Sequence, residues 1–388
     1  MKIISILLIF IGLLTVQIPA SAQVKVGAES TEEYFPLLKG KRIGVFSNQT
    51  GIVNGVHTVD LLKMAGFDIT IIFSPEHGFR GEADAGELVG DEIDARAKIP
   101  VFSLYKAKGG EPDSATLAKI DVLVIDIQDV GLRFYTYYIS MFKLMNVCAA
   151  ADIPVVLLDR PNPNGFYVDG PILDMKYKSG VGYLPIPAVH GMTLGELALM
   201  INGERWLPRK RVCKLTVIKC KNYTHSAFYD LPVPPSPNLP NMKSVYLYPS
   251  TCLFEGTVVS LGRGTDAPFQ VYGHPKMSDC NFSFIPRSLP GAKNPPLLNQ
   301  RCYGVDLREV ANEKIRRDGL NLEYLIDAYR RLKMGDKFFT PFFEKLIGVD
   351  YVRKMIEEDR SAAEIRAMWK DDVAKFKSQR KPYLLYED

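Results

Sequence analysis

Short apolar runs recur along the first half of the chain, and segments with helical spacing separate them. Runs of this length without polar alternation are typical of strands that are buried on both faces of a parallel sheet. The segments Thr58–Met64 and Tyr138–Ala151 are interpreted as helices that cover such a sheet. The runs interpreted as strands are Arg42–Phe46, Asp68–Phe73, Val101–Tyr105, Val122–Ile127 and Pro154–Leu158. This alternation predicts a doubly wound α/β domain.

The second half of the chain has a different pattern, which predicts a smaller α+β domain. The stretch Leu231–Pro240 is rich in proline and cannot form regular structure, because proline fixes φ and lacks an N–H donor. We place the domain boundary near it, with the α/β domain at 23–242 and the α+β domain at 243–388. Beyond the boundary, Leu322–Leu332 is predicted to form an apolar helix, and a capping box at Ser361–Glu364 is predicted to begin a terminal one.

The first 22 residues have the features of a secretory signal peptide. Lys2 supplies the positive charge, Ile3–Val16 is apolar but short for a membrane span, and Ala20–Ala22 is a small-residue cleavage site. We therefore expect cleavage before Gln23, export to the periplasm or beyond, and no membrane span in the mature chain. The alternative, an N-terminal membrane anchor, is disfavoured by the length of the apolar run.

Composition and motifs narrow the classes of function. The formal net charge is only +4 and basic residues form no long run, so nucleic acid is not an expected partner. No GxGxxG or P-loop motif follows a predicted strand, and no HExxH motif is present, so neither a nucleotide cofactor nor a catalytic metal is predicted. The cysteines follow the predicted cleavage site, but their spacing selects no disulfide pairing.

Polar side chains follow four of the predicted strands, at the point where each strand ends. Because the carboxyl ends of parallel strands meet at one edge of a sheet, these side chains are expected to lie close together and to form a ligand site. In chain order, the polar residues at this edge are Asn48, Glu76, His77, Arg80, Asp126, Gln128, Arg133, Tyr135, Tyr137, Arg160 and Asn162.

Carboxylates at such an edge suit the hydrolysis of a glycosidic bond. That reaction needs a proton donor for the departing oxygen and a second group that stabilises or attacks the sugar carbon. We assign Glu76 as the general acid and Asp126 as its partner. Each has a structural alternative, because Glu76 could cap a helix or pair with Arg80, and Asp126 could bond loop amides.

Other candidates could bind a ligand or serve the fold alone. His77 is either a ligand donor or a structural loop residue, and Tyr135 and Tyr137 either stack on a sugar ring or pack internally. A glycine-rich polar region in the second half adds a reserve carboxylate, Glu255, and a candidate anion-binding residue, Arg263. The glycines of that region could equally be loop scaffolding with positive φ.

Several motifs in a fixed order give the chain a resemblance to a known family. They are Ser47–Gly51, Ser74–Gly81, Asp126–Gly131, Arg133–Tyr137, Asp159–Pro163, His190–Thr193, Pro234–Asn238, Tyr248–Pro249, Glu255–Thr257 and Gly262–Thr265. Over nearly the whole mature chain, the sequence resembles the DUF1343 family, whose characterised members are exo-β-N-acetylmuramidases of the NamZ type in glycoside hydrolase family 171.

The resemblance implies a Rossmann-like first domain, a smaller C-terminal domain and a cleft between them. It also implies hydrolysis of N-acetylmuramic acid (MurNAc) from the non-reducing end of peptidoglycan fragments, without a cofactor. The family's motif glutamate maps onto Glu76, and the motif at His190–Thr193 adds His190 to the substrate-binding candidates. A non-catalytic muropeptide-binding protein, and an amidase or esterase that acts on the same polymer, are the competing hypotheses.

The implied substrate makes a further demand on the site. MurNAc carries a lactyl carboxylate, so its binding site should contain an arginine that can bind a carboxylate through two N–H groups. The candidates are Arg80, Arg133, Arg160 and Arg263. The 2-acetamido group of the substrate could itself attack the anomeric carbon, so retention, inversion and substrate assistance all stay open.

Overall fold

The computed structural model describes residues 23–80, 87, 90–106 and 110–388. The predicted signal peptide at 1–22 lies outside these residues, so its cleavage and the export of the chain stay predictions. Within the described residues, no helix has the length and apolar character needed to cross a membrane. All six cysteines lie in this described part and are free thiols.

A central sheet of mostly parallel strands organises the first half of the chain. The strands are β1 (Arg42–Ser47), β2 (Ile52–Val53), β3 (Val56–His57), β4 (Asp68–Ser74), β5 (Glu92–Ile93), β6 (Pro100–Ser103), β7 (Val122–Asp126), β8 (Val155–Leu158), β9 (Asp169–Ile172), β10 (Pro187–Val189), β11 (Leu215–Ile218), β12 (Val271–His274), β13 (Phe282–Phe284) and β14 (Cys302–Asp306). The described strands of the central sheet have the order β11-β8-β7-β1-β4-β6-β5, and only β5 is antiparallel to its neighbour. The chain runs from β1 outward to β6 and returns beside β1 at β7, which creates a topological switch point between β1 and β7.

Helices cover the sheet and build most of the second half. They are α1 (Thr31–Leu38), α2 (Thr58–Met64), α3 (Ser114–Leu117), α4 (Tyr137–Ala150), α5 (Leu194–Gly203), α6 (Met242–Thr251), α7 (Asn312–Asp318), α8 (Glu323–Leu332), α9 (Phe343–Ile347), α10 (Tyr351–Glu357), α11 (Ala362–Ala367) and α12 (Lys370–Arg380). Short 3-10 helices occur at Gly27–Glu29, Met175–Tyr177, Pro208–Lys210, Cys252–Gly256, Gly335–Lys337 and Lys381–Tyr383.

Both faces of the central sheet are buried, as its apolar runs predict. In β7, Leu123 and Ile125 belong to one apolar cluster, whereas Val122 and Val124 belong to a second cluster on the opposite face. Successive side chains of a strand point to opposite faces, so a strand covered on both sides needs apolar residues at every position. The predicted doubly wound α/β architecture is therefore confirmed.

The second half is a smaller α+β unit that shares a core with the first. Its strands form an antiparallel sheet in the order β12-β14-β13. Leu144 of α4 and Leu325 of α8 belong to the same apolar cluster, which runs through both halves. The last residues of the chain return to the first half, where the Tyr386 hydroxyl donates to Asp159 at 2.7 Å.

The stretch Leu231–Pro240 is irregular, as predicted, and is held as a loop against the sheet edge. The hydroxyls of Tyr135 and Tyr137 both donate to the carbonyl of Pro235, at 2.8 and 3.1 Å. The side-chain amide of Gln49 donates to the same carbonyl at 3.3 Å. These bonds make the stretch a fixed loop, and α6 begins directly after it. The exact domain boundary at residue 242 stays a prediction.

Candidate active site

A cavity of about 730 Å³ lies where the carboxyl edge of the sheet meets loops of the second half. Its volume falls within the range of small-molecule sites, roughly 300–1,000 Å³. Strand ends, the start of α4, the proline-rich loop and the segment after β13 all contribute to its wall. The polar and charged lining residues are Glu76, His77, Glu87, Tyr105, Tyr135, Thr136, Tyr137, Ser236, Tyr248, Glu255, Arg263, Lys293 and Asn294.

Glu76 reaches the cavity because the chain turns sharply after β4. Pro75 follows the strand, and the N–H of Gly78 closes the turn on the carbonyl of Pro75 at 3.1 Å. His77 and Gly78 adopt left-handed backbone conformations, with φ of 71° and 77°. The half-buried carboxylate of Glu76 accepts a hydrogen bond from Oγ1 of Thr136 at 2.8 Å. The turn thus presents a carboxyl group that is fixed at one oxygen.

Two tyrosine hydroxyls lie near the carboxylate of Glu76. Burial, together with the charge of Glu76 and a hydrogen bond to it, raises the pKa of Tyr105 to about 12. Burial, with a smaller contribution from Glu76, also raises the pKa of Tyr137 well above its ordinary value. Both hydroxyls therefore stay protonated at neutral pH, and Tyr105 can donate to the carboxylate.

His77 contacts the proline-rich loop. Its Nε2 lies 3.4 Å from Oγ of Ser236, and both residues are buried on the cavity wall. The rings of Tyr135 and Tyr137 pack edge to face with centroids 4.6 Å apart. Asn48 lies behind them and donates to the Tyr137 hydroxyl at 2.9 Å, so it supports the wall and is not among the residues that line it.

Glu255 and Arg263 form an ion pair on the part of the wall that belongs to the second half. Nε and Nη2 of Arg263 both donate to Oε1 of Glu255, at 3.1 and 2.6 Å. Burial alone would lower the pKa of Arg263, but the contact with Glu255 more than offsets it and raises that pKa. Within the described residues, Nη1 of Arg263 has no hydrogen-bond partner. This nitrogen is itself buried, although the side chain of Arg263 as a whole is 16% exposed.

The cavity combines groups for proton transfer with a group for anion binding. Glu76, Glu87 and Glu255 supply carboxylates, the tyrosine and threonine hydroxyls supply donors, and Arg263 and Lys293 supply positive charge. Across residues 23–80, 87, 90–106 and 110–388, no group of three or more His, Cys, Asp or Glu side chains is arranged to hold a metal ion. This donor set suits acid-assisted hydrolysis of a substrate that carries a negative charge.

Two family models cover most of the chain. The model for "Exo-beta-N-acetylmuramidase NamZ, N-terminal" matches residues 43–243, and the model for "Exo-beta-N-acetylmuramidase NamZ, C-terminal" matches residues 246–386. The chain belongs to the NamZ family of glycoside hydrolases. The resemblance to DUF1343 proteins that the motifs indicate is thereby confirmed.

Individual relatives agree with this assignment. The peptidoglycan beta-N-acetylmuramidase NamZ of Bacillus subtilis (strain 168) is 38% identical over 373 residues, which are 91% of this chain and 89% of that protein. A crystal structure of a DUF1343 family protein from Bacteroides fragilis NCTC 9343 matches with a TM-score of 0.89 and 63% identity, over 95% of this chain and 100% of that one. A second DUF1343 protein from the same organism matches with a TM-score of 0.79 and 28% identity, over 94% and 99% of the two chains.

In this NamZ family member, Asp126 lies beneath the cavity wall and does not line it. It is the last residue of β7 and is fully buried. Oδ1 accepts from Nε of Arg160 at 2.6 Å, Oδ2 accepts from Nη2 at 3.0 Å, and the Thr58 hydroxyl also donates to Oδ2. With both oxygens occupied, this position disagrees with the expectation that Asp126 is the catalytic partner of Glu76.

Three of the four arginines that are candidates for binding the lactyl carboxylate are bonded to other groups of the protein. Arg80 donates Nε and Nη2 to Asp94 at 2.9 and 2.8 Å, and Arg160 is committed to Asp126. Arg133 is fully buried, and burial lowers its pKa to about 10. None of the three is among the cavity-lining residues, so the structure does not support a substrate-binding role for them. The guanidinium of Arg133 instead donates to the backbone carbonyls of Pro171, Ile186, Leu346 and Ile347.

Gln128, Asn162 and His190 hold loops together at the sheet edge. The amide of Gln128 donates to two backbone carbonyls at 2.8 and 2.7 Å, and that of Asn162 donates to the carbonyl of Met192 at 2.9 Å. Burial, with a smaller contribution from Arg380, lowers the pKa of His190 to about 3, so its imidazole is neutral. All three are buried and absent from the cavity wall, which disagrees with their predicted role in substrate binding.

Several wall residues are not among the site residues that the sequence predicts. Thr136 lies between two candidate tyrosines, and Ser236 lies in the stretch interpreted as a domain boundary. Tyr105 ends a predicted strand, Tyr248 lies in a family motif, and Phe269 ends the glycine-rich region of the second half. The signal that could have found Thr136 is its place directly before a helix that follows a central strand, where a hydroxyl faces the ligand edge.

Proposed function

We propose that this protein is an exo-acting β-N-acetylmuramidase that hydrolyses MurNAc from the non-reducing end of peptidoglycan fragments. The observation that carries the proposal is the place of Glu76, whose carboxylate lies on the wall of a cavity large enough for a sugar. Thr136 and Tyr105 both contact this carboxylate. Membership of the NamZ family supports the class of substrate.

Glu76 acts as the general acid in this proposal. Its proton passes to the glycosidic oxygen while the bond from that oxygen to C1 of MurNAc breaks. A water molecule supplies the hydroxyl that ends on C1, and its remaining proton restores the acid. The products are free MurNAc and a fragment that is shorter by one sugar.

Glu255 is the proposed second carboxylate, in place of Asp126. It lies on the cavity wall, its side chain is 24% exposed, and one of its oxygens is fixed by Arg263. From this position it could orient the 2-acetamido group of the substrate or activate water. The choice between these two mechanisms depends on the distance to C1 in a complex with substrate.

Arg263 is the proposed ligand of the lactyl carboxylate. It is the one of the four candidate arginines that lines the cavity. Its side chain is 16% exposed, and a guanidinium on a cavity wall can bind a carboxylate through charge-assisted hydrogen bonds. Because that carboxylate distinguishes MurNAc from N-acetylglucosamine (GlcNAc), this contact would give the site its selectivity.

We also propose that the protein is exported. The sequence features at residues 1–22 favour a signal peptide, and a substrate released from peptidoglycan lies outside the cytoplasmic membrane. Mass spectrometry of the mature protein from the periplasm would test this proposal. An N-terminus at Gln23 is the expected result.

The test of the catalytic proposal is the release of MurNAc from the disaccharide MurNAc-β-1,4-GlcNAc by wild type and by Glu76→Gln. We expect the variant to lose about 10²–10⁴-fold in kcat, because general acid catalysis is typically worth that much. The wild type should also release MurNAc only from the non-reducing end of longer fragments.

Two results would contradict the proposal. Glu76 is not the acid if Glu76→Gln keeps more than about a tenth of the wild-type rate, a loss far below what general acid catalysis supplies. Tight MurNAc binding in calorimetry without any turnover by the wild type would favour the non-catalytic muropeptide-binding protein. Circular dichroism of the variant serves as the control for folding.

A further inference from the structure

The residue before helix α4 does not use its side chain to cap the helix. Thr136 has a helical backbone (φ −83°, ψ −1°), whereas a threonine with an extended backbone at this place accepts a hydrogen bond from a backbone N–H of the first turn. Thr193 does this at α5, where its hydroxyl accepts from the N–H of Glu196 at 3.2 Å. In the described structure, the side chain of Thr136 makes no such capping bond.

The hydroxyl of Thr136 is directed to Glu76 instead. Oγ1 donates to Oε2 of Glu76 at 2.8 Å, across 60 residues of sequence. This contact joins the start of α4, which follows β7, to the turn that follows β4.

The threonine is held by a rigid support. Helix α4 has 14 residues, and Tyr138 and Met141 in its first turns are fully buried. The hydroxyl of the next residue, Tyr137, accepts from Asn48 at 2.9 Å and donates to Pro235 at 3.1 Å. A side chain on a packed helix fixes a neighbouring group more accurately than a side chain on a free loop.

We propose that Thr136 is a positioning residue that holds the carboxyl group of Glu76 in the orientation needed to deliver its proton to the departing oxygen. The proposal rests on the proposed role of Glu76 as the general acid. A hydroxyl suits this task because it carries one donor and two acceptor sites. It can donate to the carboxylate and accept from the carboxylic acid, so it holds Glu76 both before and after the proton transfer.

Tyr105 has a different part in this arrangement. Its hydroxyl reaches the carboxylate from the segment that follows β6, outside any helix or strand. Thr136 belongs instead to the packed start of α4. We therefore assign the positioning of the Glu76 carboxyl group to Thr136.

The test compares Thr136→Val with Thr136→Ser on two substrates. Valine keeps the shape of threonine without the hydroxyl, and serine keeps the hydroxyl. The first substrate is the disaccharide MurNAc-β-1,4-GlcNAc, whose sugar leaving group needs a proton. The second is 4-nitrophenyl β-MurNAc, whose leaving group departs as a stable phenolate and needs far less acid assistance.

We expect Thr136→Val to lower kcat on the disaccharide by about 10–100-fold, in the range that misplacement of a catalytic group produces. Its KM should stay within about threefold of wild type, since ground-state binding is unaffected. The loss on 4-nitrophenyl β-MurNAc should be several-fold smaller. Thr136→Ser should stay within about threefold of wild type on both substrates, because the donor is kept.

A double variant distinguishes the positioning of Glu76 by Thr136 from a general loss of structure at the site. In the Glu76→Gln background, Thr136→Val should cause no further loss on the disaccharide, because the two residues act through one interaction. A multiplicative loss in the double variant would overturn the proposal. Equal losses on both substrates, or a serine variant as impaired as the valine variant, would also overturn it.

The proposed function and this inference fail in different ways. If Glu76→Gln keeps most of the wild-type activity, the assignment of the acid fails and the positioning role falls with it. If Glu76→Gln is inactive while Thr136→Val is fully active on the disaccharide, only the positioning role is overturned. If Thr136→Val folds poorly, Thr136→Ser still tests the proposal, because a large loss of activity with the hydroxyl kept would contradict it.

Discussion

Two arginine–carboxylate pairs in this protein use the same chemistry for different ends. Asp126 and Arg160 pair beneath the sheet edge, with side chains that are 0% and 2% exposed. Glu255 and Arg263 pair on the cavity wall, with side chains that are 24% and 16% exposed. In the first pair both carboxylate oxygens accept from the guanidinium, whereas in the second a single oxygen accepts both bonds.

The difference shows what separates a structural pair from a candidate functional one. A fully buried pair stabilises the fold only while both residues are present. Removal of either residue leaves a buried charge without a partner, which lowers the free energy of unfolding. A partly exposed pair on a cavity wall can bind a further anion. Partial exposure of a charged pair at a cavity is therefore the more useful sign of function.

The largest expected effect comes from breaking the buried pair. Asp126→Asn leaves the guanidinium of Arg160 buried without an anion, and we expect the free energy of unfolding to fall by about 3–5 kcal/mol. Urea unfolding followed by circular dichroism measures this loss. The same experiment on Glu255→Gln should give a change within about 1 kcal/mol, because water screens a partly exposed pair.

The opposite pattern would reverse the assignment of the two carboxylates. If Asp126→Asn unfolds at the wild-type urea concentration but loses activity as strongly as Glu76→Gln, then Asp126 takes part in the chemistry. The control for activity is Glu255→Gln, which we expect to reduce turnover while the protein stays folded.

The next effect concerns the selectivity of the cavity pair. Arg263→Lys keeps a positive charge but loses the planar fork that binds a carboxylate. We expect kcat/KM for 4-nitrophenyl β-MurNAc to fall by about 10–100-fold, since a hydrogen bond to a charged group is worth about 1.5–3 kcal/mol. Activity on 4-nitrophenyl β-GlcNAc, which lacks the lactyl group, should change much less.

The outcome of this experiment distinguishes two roles of Arg263. Equal losses on both substrates would mean that Arg263 serves only to hold Glu255. The matched control is Lys293→Met, which removes the cavity-lining cation that pairs with Glu87 at 3.0 Å. If this control alone abolishes the preference for MurNAc, the lysine is the ligand of the lactyl group.

The sequence predicts the scaffold of this site much better than its surface. The apolar runs identify β1, β4, β6, β7 and β8, and the rule for parallel sheets places their polar successors at one edge. That rule does not tell which side chains enter the cavity. Asp126 is the last residue of β7, and its side chain is fully buried. Glu76 instead lies two residues past the end of β4, in a turn where His77 and Gly78 have left-handed backbone conformations.

Long-range partners are the part that the sequence pattern leaves out. Arg133 is predicted from the sequence to bind substrate, yet its guanidinium donates to carbonyls more than 200 residues away. Nothing in the local sequence around Arg133 encodes those carbonyls. The cavity wall has the same origin, because Glu255 and Arg263 come from the second half and meet Glu76 only in the folded protein.

The last effect depends on pH and concerns the buried carboxyl group of Asp129. Asp129 follows β7 and is buried; its Oδ1 accepts from the N–H of Gly131 at 2.7 Å, and Oδ2 has no partner within the described residues. Burial raises the pKa of Asp129 to about 7. The folded state therefore holds this proton between pH 4 and 7, where the unfolded chain releases it. Its contribution to stability is complete below about pH 4 and is lost as the pH rises through 7.

Asp129→Asn, which cannot ionise, should gain stability over wild type by up to about 1.4 kcal/mol per pH unit across this range. Urea midpoints at several pH values measure the gain, with the exposed Asp371→Asn as the control. A difference between Asp129→Asn and wild type that stays constant with pH would show that Asp129 is already paired.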